Sequence, residues 1–150
     1  VIGRECKHLQ PIDCDAVVAG YCLALDLTAR DVQSVAKSRG HPWAVAKGFD
    51  TACPVSQALA FTSIEDLEDV QLRLWVDDEL RHDGSTALMI YDIRRLLCDA
   101  SRFMTLWPGD LLLTGTPKGV ARLDPGTVVR ATLGDAAGDR LAISFQVTSE

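Results

Sequence analysis

Long apolar runs, paired cysteines and an excess of positive charge are all missing from this sequence. No apolar run reaches the roughly 18 residues that a membrane-spanning helix needs, so we predict no such helix and no membrane partner. The formal net charge is −6, which argues against nucleic acid as a partner because phosphate binding requires a basic face. The five cysteines are an odd number without a Cys-x-x-Cys pair, which predicts free thiols in a reducing cytosol rather than a disulfide framework or a zinc ribbon.

Several signatures of catalysis are also missing. Gly-x-Ser-x-Gly does not occur, which argues against an α/β-hydrolase. The glycine-containing segment near residue 115 lacks the spacing of a P-loop. The three histidines, His8, His41 and His82, show no metal-ligand spacing, and we interpret all three as solvated. None of these common catalytic centres is therefore expected.

The length of 150 residues suits one domain with its own core. The chain starts at Val1 without a charged segment followed by an apolar one, so no signal peptide is predicted. Val1-Ile2-Gly3 is typical of the end of a strand that begins before Val1. We therefore expect an N-terminal part to precede this sequence.

Hydrophobic periodicity predicts a β-rich α+β domain with few helices. Two helices are expected, at 28–38 with Thr28 as its cap and at 87–104 with Ser85 or Thr86 as its cap. Buried strands are predicted at 21–25 and 111–114, and a half-buried strand at 70–76 that turns at Asp77-Asp78. A short helix or turn is expected at 13–18, and a last hairpin is expected from 128–133 and 141–147.

Asp26 is the first candidate for chemistry, because it ends an apolar strand just before a helix. A carboxylate in that position is costly unless it is paired or binds a cation. Two interpretations remain open from the residues alone. Asp26 is either a metal ligand or a capping residue that forms a salt bridge, with Arg30 as the nearest partner.

Lys47 and the segment around Thr116 are the other candidates. Lys47 lies among apolar and small residues, which places its ammonium in a partly buried position where it could hold a carboxylate or enolate oxygen. A surface lysine with a packed stem is the alternative. Residues 114–119 form a turn with Gly115 and Thr116, which either cradles an anionic oxygen or is only a turn.

Four blocks, taken together and in order, resemble the signature of the fumarylacetoacetate hydrolase superfamily. They read LDLTARDVQ at 25–33, PW at 42–43 with AKGFD at 46–50, CPVS at 53–56 and LTGTPKGV at 113–120. The resemblance is closest to the acylpyruvase and oxaloacetate decarboxylase branch. It implies a rolled mixed β-sheet with few helices and places residues 1–150 in the C-terminal part of one catalytic domain.

The resemblance also implies roles for individual residues. Asp26 matches one of three carboxylates that bind Mg²⁺ or Mn²⁺, and Lys47 matches the catalytic lysine. Arg30, Gln33, Gly115 and Thr116 match substrate-binding positions, Thr116 at the substrate carboxylate. The Glu-x-Glu pair and the histidine-bearing lid of the family are expected upstream of Val1.

The implied function is metal-dependent C–C bond cleavage of a small 2-oxo acid, by acylpyruvate hydrolysis or oxaloacetate decarboxylation through a pyruvate enolate. Two alternatives stay open: an isomerase or decarboxylase of the hydroxymuconate type, and an inactive chain that only dimerises or binds ligand. The resemblance further implies a homodimer in the cytoplasm, or in mitochondria if the source is eukaryotic.

Overall fold

Two antiparallel sheets organise residues 1–149, which are the part of the chain that the structure, a computed structural model, describes. The strands of the smaller sheet are β1 (Gly20–Tyr21) and β2 (Leu59–Ala60). The strands of the larger sheet follow the order β4-β3-β5-β6 and are β3 (Gln71–Val76), β4 (Glu79–Ser85), β5 (Val128–Asp135) and β6 (Gly138–Gln146). The α-helices are α1 (Arg30–Ser38), α2 (Ala44–Lys47) and α3 (Ile93–Phe103). The predicted β-rich α+β class with few helices is confirmed.

The chain divides into two units. The first unit combines Val1–Leu23 with the chain from Ser56 onward, and the second unit is Ala24–Val55. Within the first unit, the Ser56 amide donates to the Leu23 carbonyl at 2.9 Å and the Leu23 amide donates to Ser56 Oγ at 3.0 Å. The chain therefore leaves the first unit and re-enters it at two hydrogen-bonded residues.

Both predicted hairpins of the larger sheet are confirmed. Strands β3 and β4 are joined at Asp77 and Asp78, whose φ angles of 49° and 66° are those of the type I′ turn that matches strand twist. Strands β5 and β6 form the last hairpin, with Leu141 of β6 buried. Alternation of apolar and polar residues identified β3 and β6, and the alternating burial of β6 shows that one of its faces is covered.

The core of the first unit lies between its N-terminal segment and α3. Its buried members are apolar side chains from the N-terminal segment and from residues 64–106: Ile2, Cys6, Cys14, Val17, Ile64, Leu97 and Leu106. Two short 3-10 helices, Pro11–Asp13 and Asp15–Val17, occupy the place where the sequence predicted a short helix or turn. No helix within residues 1–149 is long and apolar enough to cross a membrane.

Helix α3 begins later than predicted. Ser85 does act as a cap, but for a separate 3-10 helix at Thr86–Leu88. Helix α3 starts after Asp92, whose carboxylate accepts from the Arg95 amide at 2.7 Å. The prediction of one helix over 87–104 was wrong in its first turns, because the capping residues serve two consecutive helices.

The start of α1 and the strand at 111–114 are also corrections. Helix α1 begins at Arg30 after Ala29 and has no side-chain cap. The Ala29 amide donates to the Ala46 carbonyl, so Ala29 and the residues before it stay outside the helix. Thr28 is therefore not its cap. Leu111 and Leu113 are 43% and 50% exposed and form no strand, so their apolar run is not a buried ladder. Of the predicted strand at 21–25, Tyr21 alone lies in a strand, β1, and Ala24 forms an isolated bridge with Val55.

Candidate active site

Asp26 is held by the backbone on both sides within the second unit. The Leu25 amide donates to the Pro54 carbonyl at 3.0 Å, and the Leu27 amide donates to the Ala52 carbonyl at 2.9 Å. These two hydrogen bonds fix the backbone on which the Asp26 carboxylate stands. The side chain itself is 40% exposed, so solvent or a ligand can reach it.

Lys47 provides the partner of Asp26. Lys47 is the last residue of α2, where its amide donates to the Trp43 carbonyl at 3.1 Å next to the buried Ala46. The Lys47 ammonium donates to Asp26 Oδ2 at 2.6 Å, and the lysine side chain is 34% exposed. The pair brings a carboxylate and an ammonium from 21 residues apart into direct contact. The salt-bridge partner suggested by sequence proximity, Arg30, is therefore the wrong one.

Arg30 and Gln33 form a second pair in the same unit. They lie in the first turn of α1, where residues three apart face the same side. Arg30 Nη1 donates to Gln33 Oε1 at 3.1 Å. The guanidinium keeps further donors for an anionic ligand, because one of its five N–H groups makes this bond.

The segment at 114–119 belongs to the first unit and is shaped by two glycines. Gly115 has φ of +112° and Gly119 has φ of +117°, a region that side chains rarely allow. A Cβ on Gly119 would lie 1.8 Å from the Arg81 carbonyl oxygen, so only glycine fits there. Thr116 is exposed between them, and its hydroxyl is available to a ligand. The assignment of Gly115 and Thr116 to substrate binding stays a prediction.

His82 was missed by the sequence interpretation. The structure places it half-buried on β4 opposite Leu74, with Nε2 buried and without a hydrogen-bond partner among the described residues. Burial lowers the pKa of His82, and a hydrogen bond with the Gly119 backbone opposes that shift. The prediction that all three histidines are solvated is therefore wrong for His82. Its position opposite an apolar residue of the hairpin was the signal that could have indicated burial.

Among the described residues, Asp26 fits the role of one ligand in a divalent cation site. A carboxylate oxygen is the donor that Mg²⁺ prefers, and Asp26 Oδ1 has no protein partner within residues 1–149. No group of three histidine, cysteine, aspartate or glutamate side chains in that range could hold a metal ion. A complete metal site would need donors beyond these residues.

A comparison with family models identifies the class of protein. Residues 1–143 match the model for the C-terminal part of fumarylacetoacetate (FAA) hydrolase. The chain belongs to the fumarylacetoacetate hydrolase family, which is a family of enzymes, and the resemblance seen in the four sequence blocks is confirmed.

Curated relatives of this chain carry oxaloacetate decarboxylase and oxaloacetate tautomerase names. The chain is 44% identical over 130 residues to the mitochondrial oxaloacetate decarboxylase of Dictyostelium discoideum, covering 87% of this chain and 60% of that protein. It is 48% identical over 131 residues to the mitochondrial oxaloacetate tautomerase FAHD1 of Oryza sativa subsp. japonica, covering 87% of this chain and 57% of that protein. The chain thus spans about 60% of the length of the curated relatives that it matches.

A solved structure shows the same fold in a third activity. The crystal structure of 2-hydroxyhepta-2,4-diene-1,7-dioate isomerase from Mycobacterium marinum superimposes with a TM-score of 0.86 at 36% identity. The superposition covers 99% of this chain and 55% of that one. The fold is therefore shared by relatives with decarboxylase, tautomerase and isomerase names.

Proposed function

We propose that this chain forms part of an enzyme that cleaves a C–C bond in small 2-oxo acids with the help of Mg²⁺ or Mn²⁺. Oxaloacetate decarboxylation and acylpyruvate hydrolysis are the proposed reactions, both passing through a pyruvate enolate. The observation that carries the proposal is the contact of 2.6 Å between Lys47 and Asp26. The proposal is supported because this contact joins an ammonium and a carboxylate at two positions that the family resemblance assigns to the active site.

Lys47 is the proposed catalytic residue. Cleavage leaves negative charge on the oxygen of the enolate, and a fixed ammonium lowers the energy of that charge most when it is already oriented. Asp26 orients the ammonium, because it accepts one of the three N–H bonds and leaves the others for substrate oxygens. The proposed roles of Arg30, Gln33, Gly115 and Thr116 are to bind the remaining substrate oxygens.

A divalent cation is the proposed cofactor of the reaction. A bound cation would add Lewis-acid attraction for the 2-oxo and carboxylate oxygens of the substrate. Asp26 is its one proposed ligand within the described residues, and we propose that a Glu-x-Glu pair outside this sequence supplies the others. The proposed protein is a homodimer located in the cytoplasm or, like the relatives named above, in mitochondria.

Tautomerisation or isomerisation is the second candidate, favoured by the 48% identity to a relative named oxaloacetate tautomerase. Decarboxylation and keto–enol exchange share an enolate and differ in which bond to carbon is broken. The same Lys47 ammonium would stabilise both. The two candidates are therefore separated by products and not by the residues that bind the oxyanion.

The test follows both products. Purified full-length protein is given oxaloacetate, acetylpyruvate or fumarylpyruvate with Mg²⁺, with Mn²⁺ or with EDTA. Pyruvate release reports cleavage, and loss of enol absorbance without pyruvate reports tautomerisation. Activity that EDTA leaves unchanged would contradict the metal proposal, and no turnover of any substrate would favour the inactive alternative.

The metal ligand is tested by Asp26→Asn, with Asp31→Asn as the matched control on exposed α1. The amide removes one negative ligand, so the affinity for Mg²⁺ in calorimetry should fall roughly tenfold or more. Asp31→Asn should leave the affinity unchanged. Loss of binding in the control, with Asp26→Asn unaffected, would move the site to other carboxylates.

A further inference from the structure

Two cysteine thiols meet inside the first unit, away from Asp26 and Lys47 in the sequence. Cys14 Sγ and Cys98 Sγ lie 3.8 Å apart, although 84 residues separate them in the chain. Cys14 lies between the two 3-10 helices Pro11–Asp13 and Asp15–Val17, and Cys98 lies in the middle of α3. The odd number of cysteines in the sequence gave no indication of this pair.

The two thiols have different surroundings. Cys14 is 0% exposed, and its sulfur also lies 3.6 Å from the Gln10 carbonyl and 3.8 Å from the Arg94 carbonyl. Burial, together with the hydrogen bond to Cys98, raises the pKa of the Cys14 thiol to about 12. Cys14 therefore stays protonated at neutral pH and is a poor first nucleophile.

Cys98 is the accessible member of the pair. It is half-buried and lines an open cavity of about 560 Å³ together with His8, Arg95 and Arg102. The cavity is far larger than a peroxide molecule, which is close to water in size. A small oxidant can therefore enter the cavity that Cys98 lines, whereas Cys14 is fully buried.

We propose that Cys98 and Cys14 form a reversible disulfide in response to hydrogen peroxide. The Cys98 thiolate attacks one peroxide oxygen, the O–O bond breaks, and the departing hydroxide takes up a proton to become water. This step leaves a sulfenic acid on Cys98. The Cys14 sulfur then attacks the Cys98 sulfur, the S–O bond breaks, and the departing hydroxide takes the Cys14 proton and leaves as water. Two thiols lose two electrons in total, and one peroxide is reduced to two waters.

The geometry demands little movement for this bond. A disulfide needs about 2.0 Å between the sulfurs, so they must approach by roughly 1.8 Å. The two segments are already held together, because Arg94 of α3 donates to the Pro11 carbonyl at 3.3 Å and forms an ion pair with Asp15 at 2.8 Å. A crosslink between these segments closes a long loop in the unfolded chain, which stabilises the folded state. Oxidation should therefore raise the melting temperature, by roughly 5–15 °C for a loop and a chain of this size.

The experiment treats the full-length protein with hydrogen peroxide, blocks the remaining thiols with iodoacetamide and digests it with trypsin. The expected product links peptide 96–102, which contains Cys98, to peptide 8–30, which contains Cys14 and Cys22. The Cys22→Ser variant is the matched control and should give the same link. Dithiothreitol should abolish the link and the gain in melting temperature.

Single variants test the order of events. In Cys14→Ser, Cys98 should stop at the sulfenic acid, which dimedone labels. In Cys98→Ser, Cys14 should stay reduced and the melting temperature should not rise. Any of three results would overturn the proposal: full alkylation of both cysteines after peroxide treatment, loss of the link in Cys22→Ser, or dimedone labelling of Cys14 in Cys98→Ser.

Discussion

Replacement of Lys47 by methionine separates a catalytic role from a structural one. Methionine keeps most of the apolar stem and removes the ammonium, so the ion pair with Asp26 at 2.6 Å is lost. At that distance two unit charges attract by about 1.6 kcal/mol in a water-like dielectric. Both side chains are more than a third exposed, so screening and side-chain entropy reduce the net contribution to about 0.2–1 kcal/mol.

That range sets the expected change in stability. A chain of 150 residues unfolds with an entropy near 0.3 kcal/mol per degree, so the melting temperature should fall by about 3 °C at most. Catalysis should respond much more strongly. Loss of a preoriented donor to an oxyanion commonly lowers the rate by about 10²–10³, and we expect kcat/KM for oxaloacetate to fall by that factor.

The assay combines pyruvate release with calorimetric melting on the same preparations. Lys37→Met is the matched control, because Lys37 is an exposed lysine of α1. It should match the parent in both measurements. A Lys47→Met variant with unchanged kcat/KM would remove Lys47 from the active site. A drop of 10 °C or more in melting temperature would show instead that the pair is structural.

Two further predictions concern the first unit. Thr116→Val keeps the shape of the exposed side chain and removes its hydroxyl, so KM for oxaloacetate should rise by roughly 5–150-fold. Thr148→Val is the control at another exposed threonine. An unchanged KM in Thr116→Val would show that Thr116 does not contact the substrate. His82 has its pKa lowered by burial, so the unfolded chain binds more protons than the folded one as the pH falls below about 6.5. The free energy of unfolding that neutral His82 contributes should therefore be fully present above that pH and be lost as the pH falls below it. His82→Gln should flatten this pH dependence in denaturant titrations at pH 5 and pH 7.5. An equal pH dependence in the variant would place its origin elsewhere.

The sheet was predictable from sequence because its signals are local. Alternation in β3 and β6 and the turn at Asp77-Asp78 depend on neighbours a few residues away. The leucines at 111–113 show the limit of this approach, since an apolar run does not say whether anything covers it. The exposure of Leu113 could be seen only in the structure.

For the candidate site, the sequence indicated candidate residues but not how those residues contact one another. Asp26 and Lys47 were found from their apolar neighbours and from the family resemblance, but their mutual contact was not, because tertiary structure alone brings them together. The same holds for Cys14 and Cys98. His82 failed for the opposite reason, because the polarity of its neighbours in the chain concealed its buried position on β4.

The two hydrogen bonds between Leu23 and Ser56 have a consequence for how such proteins diversify. Because they join the points where the chain leaves and re-enters the first unit, Ala24–Val55 can be regarded as a cassette with adjacent ends. Segments of this kind tolerate exchange and insertion when the backbone hydrogen bonds at their ends are kept. Asp26, Arg30, Gln33 and Lys47 all lie within it. A cassette transplanted from a relative would therefore carry these four proposed site residues together in one genetic step, while Gly115 and Thr116 would stay with the first unit.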